Sequence, residues 1–255
     1  MAFIKSKKEI EALREGGQKL AEILRKVVET VKPGVTTKEL DRLAESLILS
    51  VGGTPSFKGY HIPGAHTPYP ASLCTSINDE VVHGIPSEKR VLKDGDIIGL
   101  DIGMKYKRLY TDMAVTVGVG AIDAASRKLL LVTEHALAEG IVQVRAGAHV
   151  GDISEAVQTY AEDHGLGVVR ELVGHGVGHA VHENPPIPNF GSRGQGEKLR
   201  EGMVIAIEPM LTAGDYAVVL APDDWTWKTK DGSRAAHFEH TVAVTKDGVR
   251  VLTKI

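Results

Sequence analysis

The chain has 255 residues, 42% hydrophobic and 25% charged, which is typical of a globular protein with one large core or two smaller ones. Its net charge of -3 argues against nucleic acid as the main partner, because phosphate binding needs clustered lysine and arginine. No apolar run is long enough to span a bilayer, and the N-terminal segment lacks the apolar core of a signal peptide. The single cysteine, Cys74, excludes an internal disulfide and indicates a reducing, cytoplasmic location.

The N-terminal part opens with two predicted helices. A capping box at Ser6 and Glu9 precedes apolar residues at helical spacing, which continue to the Pro-Gly pair at 33–34. A second box at Thr36 and Glu39 starts a helix predicted to end at the glycines 52–53. Short β-rich segments follow at about 73–77, 80–85, 96–102 and 112–119.

The same order of elements then restarts. A helix is predicted from about Asp123 to Val144, and another ends at Gly165. Strands are predicted near 167–173, 203–208, 216–220 and 236–245. The segment GSRGQG at 191–196 is predicted to be a mobile surface loop.

Three pairs of segments repeat in the same order along the two parts. VKPGVTTKEL at 31–40 aligns with VRAGAHVGDI at 144–153, VVHGI at 81–85 with VGHGV at 173–177, and LKDGDIIGLD at 92–101 with LREGMVIAIE at 199–208. We therefore predict an α+β fold of two α-α-β halves, about 1–119 and 120–255. The halves should share one antiparallel sheet with the helices on one face, and form a single domain.

Four acids stand beside predicted strands: Asp101, Asp112, Glu208 and Glu239. The spacing of the first two predicts a hairpin that brings them together, with Val115 and Val117 on the opposite face. Small residues two positions earlier, Gly99 and Ala206, should leave open space beside Asp101 and Glu208. Four buried carboxylates repel one another, and two divalent ions would balance their charge.

Histidines supply the remaining candidate ligands. His175 lies between two glycines, where the backbone can approach a ligand closely. His175 and His179 have the spacing of helical zinc ligands, but the surrounding glycines argue against a helix. His61 and His66 lie in a proline-rich loop that could border the site. The other helix-associated histidines, at 135, 149 and 164, are predicted to be surface residues.

Together these residues resemble a known family. His83, Asp101, Asp112, His175, His182, Glu208 and Glu239, in that order, resemble the type I methionine aminopeptidases, which have the pita-bread fold. The similarity covers essentially the whole chain and includes the blocks SINDEVVHGIP, LKDGDIIGLD, GHGVGHAVHENP, EGMVIAIEP and FEHTVAVT. The resemblance implies a curved antiparallel sheet with pseudo-two-fold symmetry and a metal-dependent enzyme of the cytoplasm.

The resemblance also implies roles for these residues. One metal ion (Co, Mn, Fe or Zn) would be held by Asp101 and Asp112, and a second by Asp112, His175, Glu208 and Glu239. A hydroxide bridging the ions would attack the first peptide bond, so that the initiator methionine leaves a nascent chain whose second residue is small. His83 would contact the scissile amide, His182 would stabilise the oxyanion, and Glu208 would carry the proton.

The methionine pocket should be apolar, and by similarity Tyr69, Cys74 and Trp225 would line it. Two positions depart from the family pattern, because Val181 stands where an aromatic residue is frequent and His237 where a glutamine is common. The loop HIPGAHTPYP, 61–70, is also longer than usual. These departures concern the shape of the pocket and leave every metal ligand in place.

Two alternatives share the fold. An Xaa-Pro aminopeptidase or prolidase would normally carry a large N-terminal domain, and a non-catalytic pita-bread binding protein would normally lose metal ligands. The resemblance further implies a monomer that acts on nascent polypeptide N-termini, with a contact at the ribosomal tunnel exit, and no membrane partner.

Overall fold

The computed structural model of the protein describes residues 3–62 and 64–254. Within these ranges the helices are α1 (Lys7–Glu29), α2 (Thr37–Ser50), α3 (Ala124–Val142) and α4 (Val150–Asp163). The strands are β1 (Thr54–Pro55), β2 (Leu73–Ile77), β3 (Glu80–Val82), β4 (Ile97–Tyr106), β5 (Leu109–Gly118), β6 (Gly167–Val168), β7 (Gly174–Gly176), β8 (Glu183–Ile187), β9 (Val204–Ile207), β10 (Met210–Thr212), β11 (Val218–Leu220), β12 (Trp227–Thr229), β13 (Ala235–His237), β14 (Glu239–Thr245) and β15 (Gly248–Val251). None of the described helices is both long and apolar enough to cross a bilayer.

The predicted helix starts are confirmed. The Ser6 hydroxyl accepts from the Glu9 N–H while the Glu9 carboxylate accepts from the Ser6 N–H, and Thr36 and Glu39 make the same exchange. These bonds satisfy N–H groups that the first turn of a helix leaves without partners. The ends were placed too late, since α1 stops at Glu29, before the Pro-Gly pair.

Nine strands form one antiparallel sheet in the order β1-β4-β5-β14-β9-β7-β8, with β2 paired to β4 and β15 paired to β14. Strands from the first part of the chain meet strands from the second where β5 pairs with β14. The shared antiparallel sheet is therefore confirmed. Whether the two parts, 1–119 and 120–255, behave as halves of a single domain stays a prediction.

The helices lie on one face of this sheet, as predicted. α1 and α2 pack on alternate residues of β4, including Ile98, Leu100 and Ile102. α3 and α4 pack on β9 and β14 in the same way, for example on Ile205 and Val242. Because strand side chains alternate, the residues between these apolar positions face the other side of the sheet. The acids occupy that other side.

Several strands differ from the prediction. The segment 236–245 breaks at Phe238, and its parts join two different sheets, β13 with β10 and β6, and β14 in the large sheet. β6 stops at Val168 instead of residue 173. Six strands were not predicted, because they are only two to five residues long and some are rich in glycine or proline: β1, β7, β8, β10, β12 and β15. β8 contains two prolines, which are tolerated because it is the last strand in the order.

The segment 191–196 lies on the surface, as predicted, and is hydrogen-bonded to α4. The Gly194 N–H donates to Asp152, and the Gly191 N–H donates to Gln158. Its mobility stays a prediction. The surface position of the helix-associated histidines is confirmed, since His135 is exposed and His149 and His164 are partly exposed.

Candidate metal centre

The pairing of the strands places the acids in a row across the sheet. Asp101 of β4 and Glu239 of β14 both stand directly opposite Ala114 of β5, so all three project on the same face. Glu208 directly follows Ile207, which pairs with His240, and so lies beside Glu239. Ala114 is small, so the carboxylates on either side of it can approach one another.

A second row runs next to the first. Asp112 stands opposite Gly103, so it lies diagonally from Asp101 across the β4–β5 hairpin, as predicted. Val115 and Val117 pack on the opposite, helical side, which is also confirmed. On the other strands of this row, His175 stands opposite Ala206. The two rows together bring all five predicted metal ligands to one place.

The distances agree with this arrangement. One ligand atom from each of Asp112, His175 and Glu239 lies within 4.8 Å of the others. His175 Nε2 is 3.5 Å from Glu208 Oε1. These four residues and Asp101 line one cavity of about 80 Å³, which His83 and His182 also line. The sequence therefore identified a set of residues that the fold does bring together.

One detail of the prediction is wrong. Gly99 does not leave open space beside Asp101, because a Cβ there would lie in ordinary contact with Thr116 and Ser76, at 3.5 and 3.6 Å. The cavity lies instead on the side of Asp101 that faces Asp112 and Glu239.

The carboxylates fit metal ions because their oxygens lack other partners. Among the described residues, Asp101 Oδ1, Asp112 Oδ1 and Glu239 Oε1 are buried without a hydrogen-bond partner. Buried polar atoms of this kind are rare, since each costs roughly 1–3 kcal/mol when left unpaired. Carboxylate oxygens with one imidazole suit Mn, Fe, Co or Zn.

The tautomer and the neutral charge of His175 suit metal binding. Its Nδ1 lies 2.9 Å from the Gly176 carbonyl oxygen, which can only accept, so Nδ1 carries the proton. Nε2 is then the free lone pair, and it is the nitrogen that lies next to Glu208. Burial lowers the pKa of His175 to about 3, which keeps the ring neutral at physiological pH.

Burial shifts the pKa values of the acids in the opposite direction to that of His175. Burial raises the pKa of Asp101 to about 7 and that of Glu208 to about 8. Burial, and then repulsion from Asp101, raises the pKa of Asp112 well above its usual value. Burial and the charge of Asp112 do the same to the pKa of Glu239. Without cations these groups hold protons, and cations that bind must displace them.

A pH dependence of stability follows. A carboxyl whose pKa rises on folding stabilises the protein at low pH and loses that contribution as pH rises through the folded pKa. The depressed pKa values of His83, about 4, and His175, about 3, act oppositely, but only below about pH 6.5. We expect the Tm of the metal-free protein to fall by at least about 3 °C between pH 6.5 and pH 8.

Thermal unfolding with a chelator present measures this change. As a control, saturating Mn²⁺ should reverse the trend, because metal binding becomes tighter as the ligands lose protons. A metal-free Tm that is constant or rises over this interval would contradict the assignment of clustered buried acids.

An apolar wall adjoins the acids. The three predicted pocket residues, Tyr69, Cys74 and Trp225, are buried and line the same cavity. Cys74 stands opposite Asp101, and its pKa is raised well above the usual value by burial, so the thiol stays protonated. Val181 is buried in the same apolar cluster. The cavity thus has a charged end and an apolar end.

Other cavity residues were missed by the sequence reasoning. Phe57, Tyr60 and Ile62 also line the cavity, and the Tyr60 hydroxyl lies 2.6 Å from His182 Nδ1. His61 and His66 do not line it, and His66 instead pairs with Asp224 on the surface. The relevant signal was the pair of aromatic residues just before the long loop, which resembles an ordinary core segment until the fold is known.

His237 is a further missed neighbour of the acids. Its Nε2 is buried without a partner, 3.6 Å from Glu208 Oε2 and 4.0 Å from Glu239 Oε2. The ring is held in place because its own backbone exchanges hydrogen bonds with Thr116. Its position two residues before Glu239 was not a sufficient signal, because the strand breaks at Phe238 and the two residues belong to different sheets.

Comparisons with known proteins identify the family. A sequence model of metallopeptidase family M24 matches residues 11–246. The chain is 47% identical over 253 residues to a methionine aminopeptidase of Clostridium acetobutylicum, covering 99% of each chain. Its fold superposes on the crystal structure of methionine aminopeptidase from Thermotoga maritima with a TM-score of 0.96 and 42% identity, covering 100% of both chains.

A prolidase of Pyrococcus horikoshii is more distant. It has a TM-score of 0.77 at 23% identity, and the match covers 64% of that longer chain, which shows the fold alone.

A pita-bread fold with buried carboxylates and histidines around one cavity defines a metallopeptidase that uses divalent metal. The chain belongs to metallopeptidase family M24 and, within it, to the methionine aminopeptidases. The resemblance inferred from the motifs is therefore confirmed, and so is the assignment as an aminopeptidase.

Proposed function

We propose that the protein removes the initiator methionine from nascent chains whose second residue is small. Two divalent ions would be held by Asp101, Asp112, His175, Glu208 and Glu239. The single observation that carries this proposal is the convergence of three buried acids, the partly buried Glu208 and one neutral histidine beside an apolar cavity. Oxygens without partners supply the ligand atoms.

When bound, the ions would polarise the carbonyl of the first peptide bond and activate water. The methionine side chain would enter the apolar end, which Tyr69, Cys74 and Trp225 line. Its flexible thioether can adapt to the shape of this pocket. Burial around Trp225 also excludes bulk water from the reacting bond.

His182 lies at the mouth of the cavity with Nδ1 next to Tyr60, so Nε2 is the nitrogen available to the substrate carbonyl. Its N–H there would stabilise the developing oxyanion. His83, held neutral by its lowered pKa of about 4 through burial, would contact the scissile amide. Glu208 would take a proton from water and pass it to the leaving amine, because its carboxylate lies in the cavity beside His175.

The cellular setting is part of the proposal. The enzyme would act in the cytoplasm, because initiator methionine is exposed there on chains leaving the ribosome. It would act as a monomer. A contact near the tunnel exit would bring it to its substrates. The metal in cells would be Co, Mn, Fe or Zn. The halves 1–119 and 120–255 would work as one catalytic domain, since each supplies part of the ligand set.

A peptide panel tests the proposal. We expect the purified protein with Mn²⁺ or Co²⁺ to release methionine from Met-Ala-Ser at least about 100-fold faster than from Met-Lys-Ser, and to leave Ala-Pro-Ala intact. A chelator should stop the reaction, and added metal should restore it. Cleavage of Ala-Pro-Ala alone would favour a prolidase-like enzyme, and binding without cleavage of any peptide would favour a non-catalytic protein.

A further inference from the structure

A buried ion pair lies directly behind the histidine at the mouth of the cavity. Lys5 Nζ is 2.5 Å from Glu183 Oε2, and each of the two side chains is 1% exposed. Glu183 is the neighbour of His182 in the chain and is the first residue of β8. The pair therefore connects the segment before α1 to the segment that carries a proposed catalytic group.

The second oxygen of Glu183 organises the loop between β7 and β8. Glu183 Oε1 accepts from the N–H groups of His179, at 2.5 Å, and Ala180, at 2.9 Å. The strands at either end of this loop are themselves paired, Gly176 with Glu183. The Glu183 carboxylate thus closes the loop from inside, and Lys5 neutralises it.

The backbone is shaped to admit Lys5. Gly178 has φ of +139°, and a Cβ at that position would lie 2.4 Å from Lys5 Cε. A larger residue at 178 would be strained at this φ and would crowd the lysine side chain, so glycine suits this position. The Lys5 N–H also donates to the Gly202 carbonyl at 2.7 Å, which fastens the lysine backbone to the turn before β9.

The position of His182 depends on this loop. The His182 ring packs edge-on against His175 with centroids 4.4 Å apart, and its Nδ1 contacts Tyr60. A shift of about 1 Å in a catalytic group can cost roughly 100-fold in rate. Breaking a buried pair by removing one partner leaves an uncompensated charge, which forces the remaining group to move towards water.

We propose that Lys5 is a positioning residue for His182, acting through the buried ion pair with Glu183 and the loop that Glu183 closes. This inference rests on the role of His182 in the proposed function. Lys5 touches neither the cavity nor the metal ligands, so its effect on turnover must pass through the loop.

A double-mutant cycle tests the positioning role of Lys5. Lys5→Met, His182→Ala and the double variant are assayed on Met-Ala-Ser with saturating Mn²⁺, well below the Tm of each. We expect Lys5→Met to lower kcat by about 10- to 100-fold with KM changed less than about 2-fold. In the His182→Ala background it should have less than about a 2-fold effect, since residues that act as a unit are not additive. An equal loss in both backgrounds overturns the inference, as does an unchanged kcat in Lys5→Met.

A matched pair of variants separates positioning from simple loss of stability. Lys5→Met/Glu183→Gln and Lys5→Met/Glu183→Leu both remove the ion pair, but only glutamine keeps an oxygen for the two loop N–H groups. We expect kcat to recover to within about 3-fold of the parent with glutamine and to stay low with leucine. Equal kcat values in the two variants overturn the inference. Lys107→Met, which breaks an exposed pair with Glu15, is the control for losing a lysine charge and should leave kcat unchanged.

Failure of the proposed function itself is recognised separately. In that case the parent protein releases no methionine from Met-Ala-Ser, whereas failure of the positioning role shows only among the variants.

Discussion

Replacing Asp112 by asparagine is expected to lower kcat/KM for Met-Ala-Ser by at least about 10³-fold, because polarisation by the ions is worth several kcal/mol. Asp112 lies in the centre of the site, diagonal to Asp101 and within 4.8 Å of ligand atoms of His175 and Glu239. Asparagine keeps the size of the side chain but removes the charge. Steady-state kinetics with Mn²⁺ measures the loss, and Glu239→Ala should behave in the same way.

Measurements of Tm distinguish the loss of metal binding in Asp112→Asn from misfolding of the variant. The Tm of metal-free Asp112→Asn should be at least as high as that of the parent, since one of the repelling groups is gone. The rise in Tm that Mn²⁺ gives the parent should be lost. Asp163→Asn, at the exposed end of α4, is the matched control and should change neither quantity. Turnover at the parent rate in Asp112→Asn would refute the metal assignment.

Glu208→Gln is expected to lower kcat by about 10²- to 10⁴-fold, the usual contribution of a general acid and base. Glutamine keeps an oxygen that can face a metal ion but cannot carry a proton. We therefore expect the variant to retain part of the Mn²⁺-dependent rise in Tm while turnover is lost. That combination distinguishes a proton carrier from a residue that only binds metal.

The pH profile of Glu208→Gln supplies a second readout. Any remaining activity should lack the part of the parent's pH profile that reports the proton carrier. Glu201→Gln, an exposed residue in the turn before β9, should match the parent in rate and profile. An unchanged kcat in Glu208→Gln would show that another group moves the proton.

The acids of the site come from both parts of the chain. Asp101 and Asp112 come from the hairpin of the first part of the chain, whereas Glu208 and Glu239 come from strands of the second. The hairpin brings Asp101 and Asp112 together, and the pairing of β5 with β14 adds the acids of the second part. Bound cations would therefore stabilise the junction between the two parts as well as the catalytic group.

Local signals predicted the helices and the existence of the site. A capping box such as Ser6 with Glu9 acts within one turn, so its meaning does not depend on the rest of the fold. The repeated apolar segments that lead to Asp101 and Glu208 were also visible in the sequence. From these came the sheet, its helical face and the five candidate ligands.

Residues whose role depends on distant contacts were not predictable in this way. Tyr60 gains a role only because its loop folds onto His182, and His237 only because β13 and β14 diverge at Phe238. Lys5 resembles a solvated charge before a helix in the sequence, yet it is buried against Glu183, 178 residues further along the chain.

The sequence by itself determined the helices, several of the strands, the repeat and the chemical types gathered at the site, because helix caps, strand alternation and carboxylate spacing are local properties. Only the tertiary structure decided which side of Asp101 is open, which nitrogen of His175 is free and which buried charge holds His182 in place. These features depend on the distances between strands and loops far apart in the chain, and such distances arise only when the sheet closes and its faces are packed.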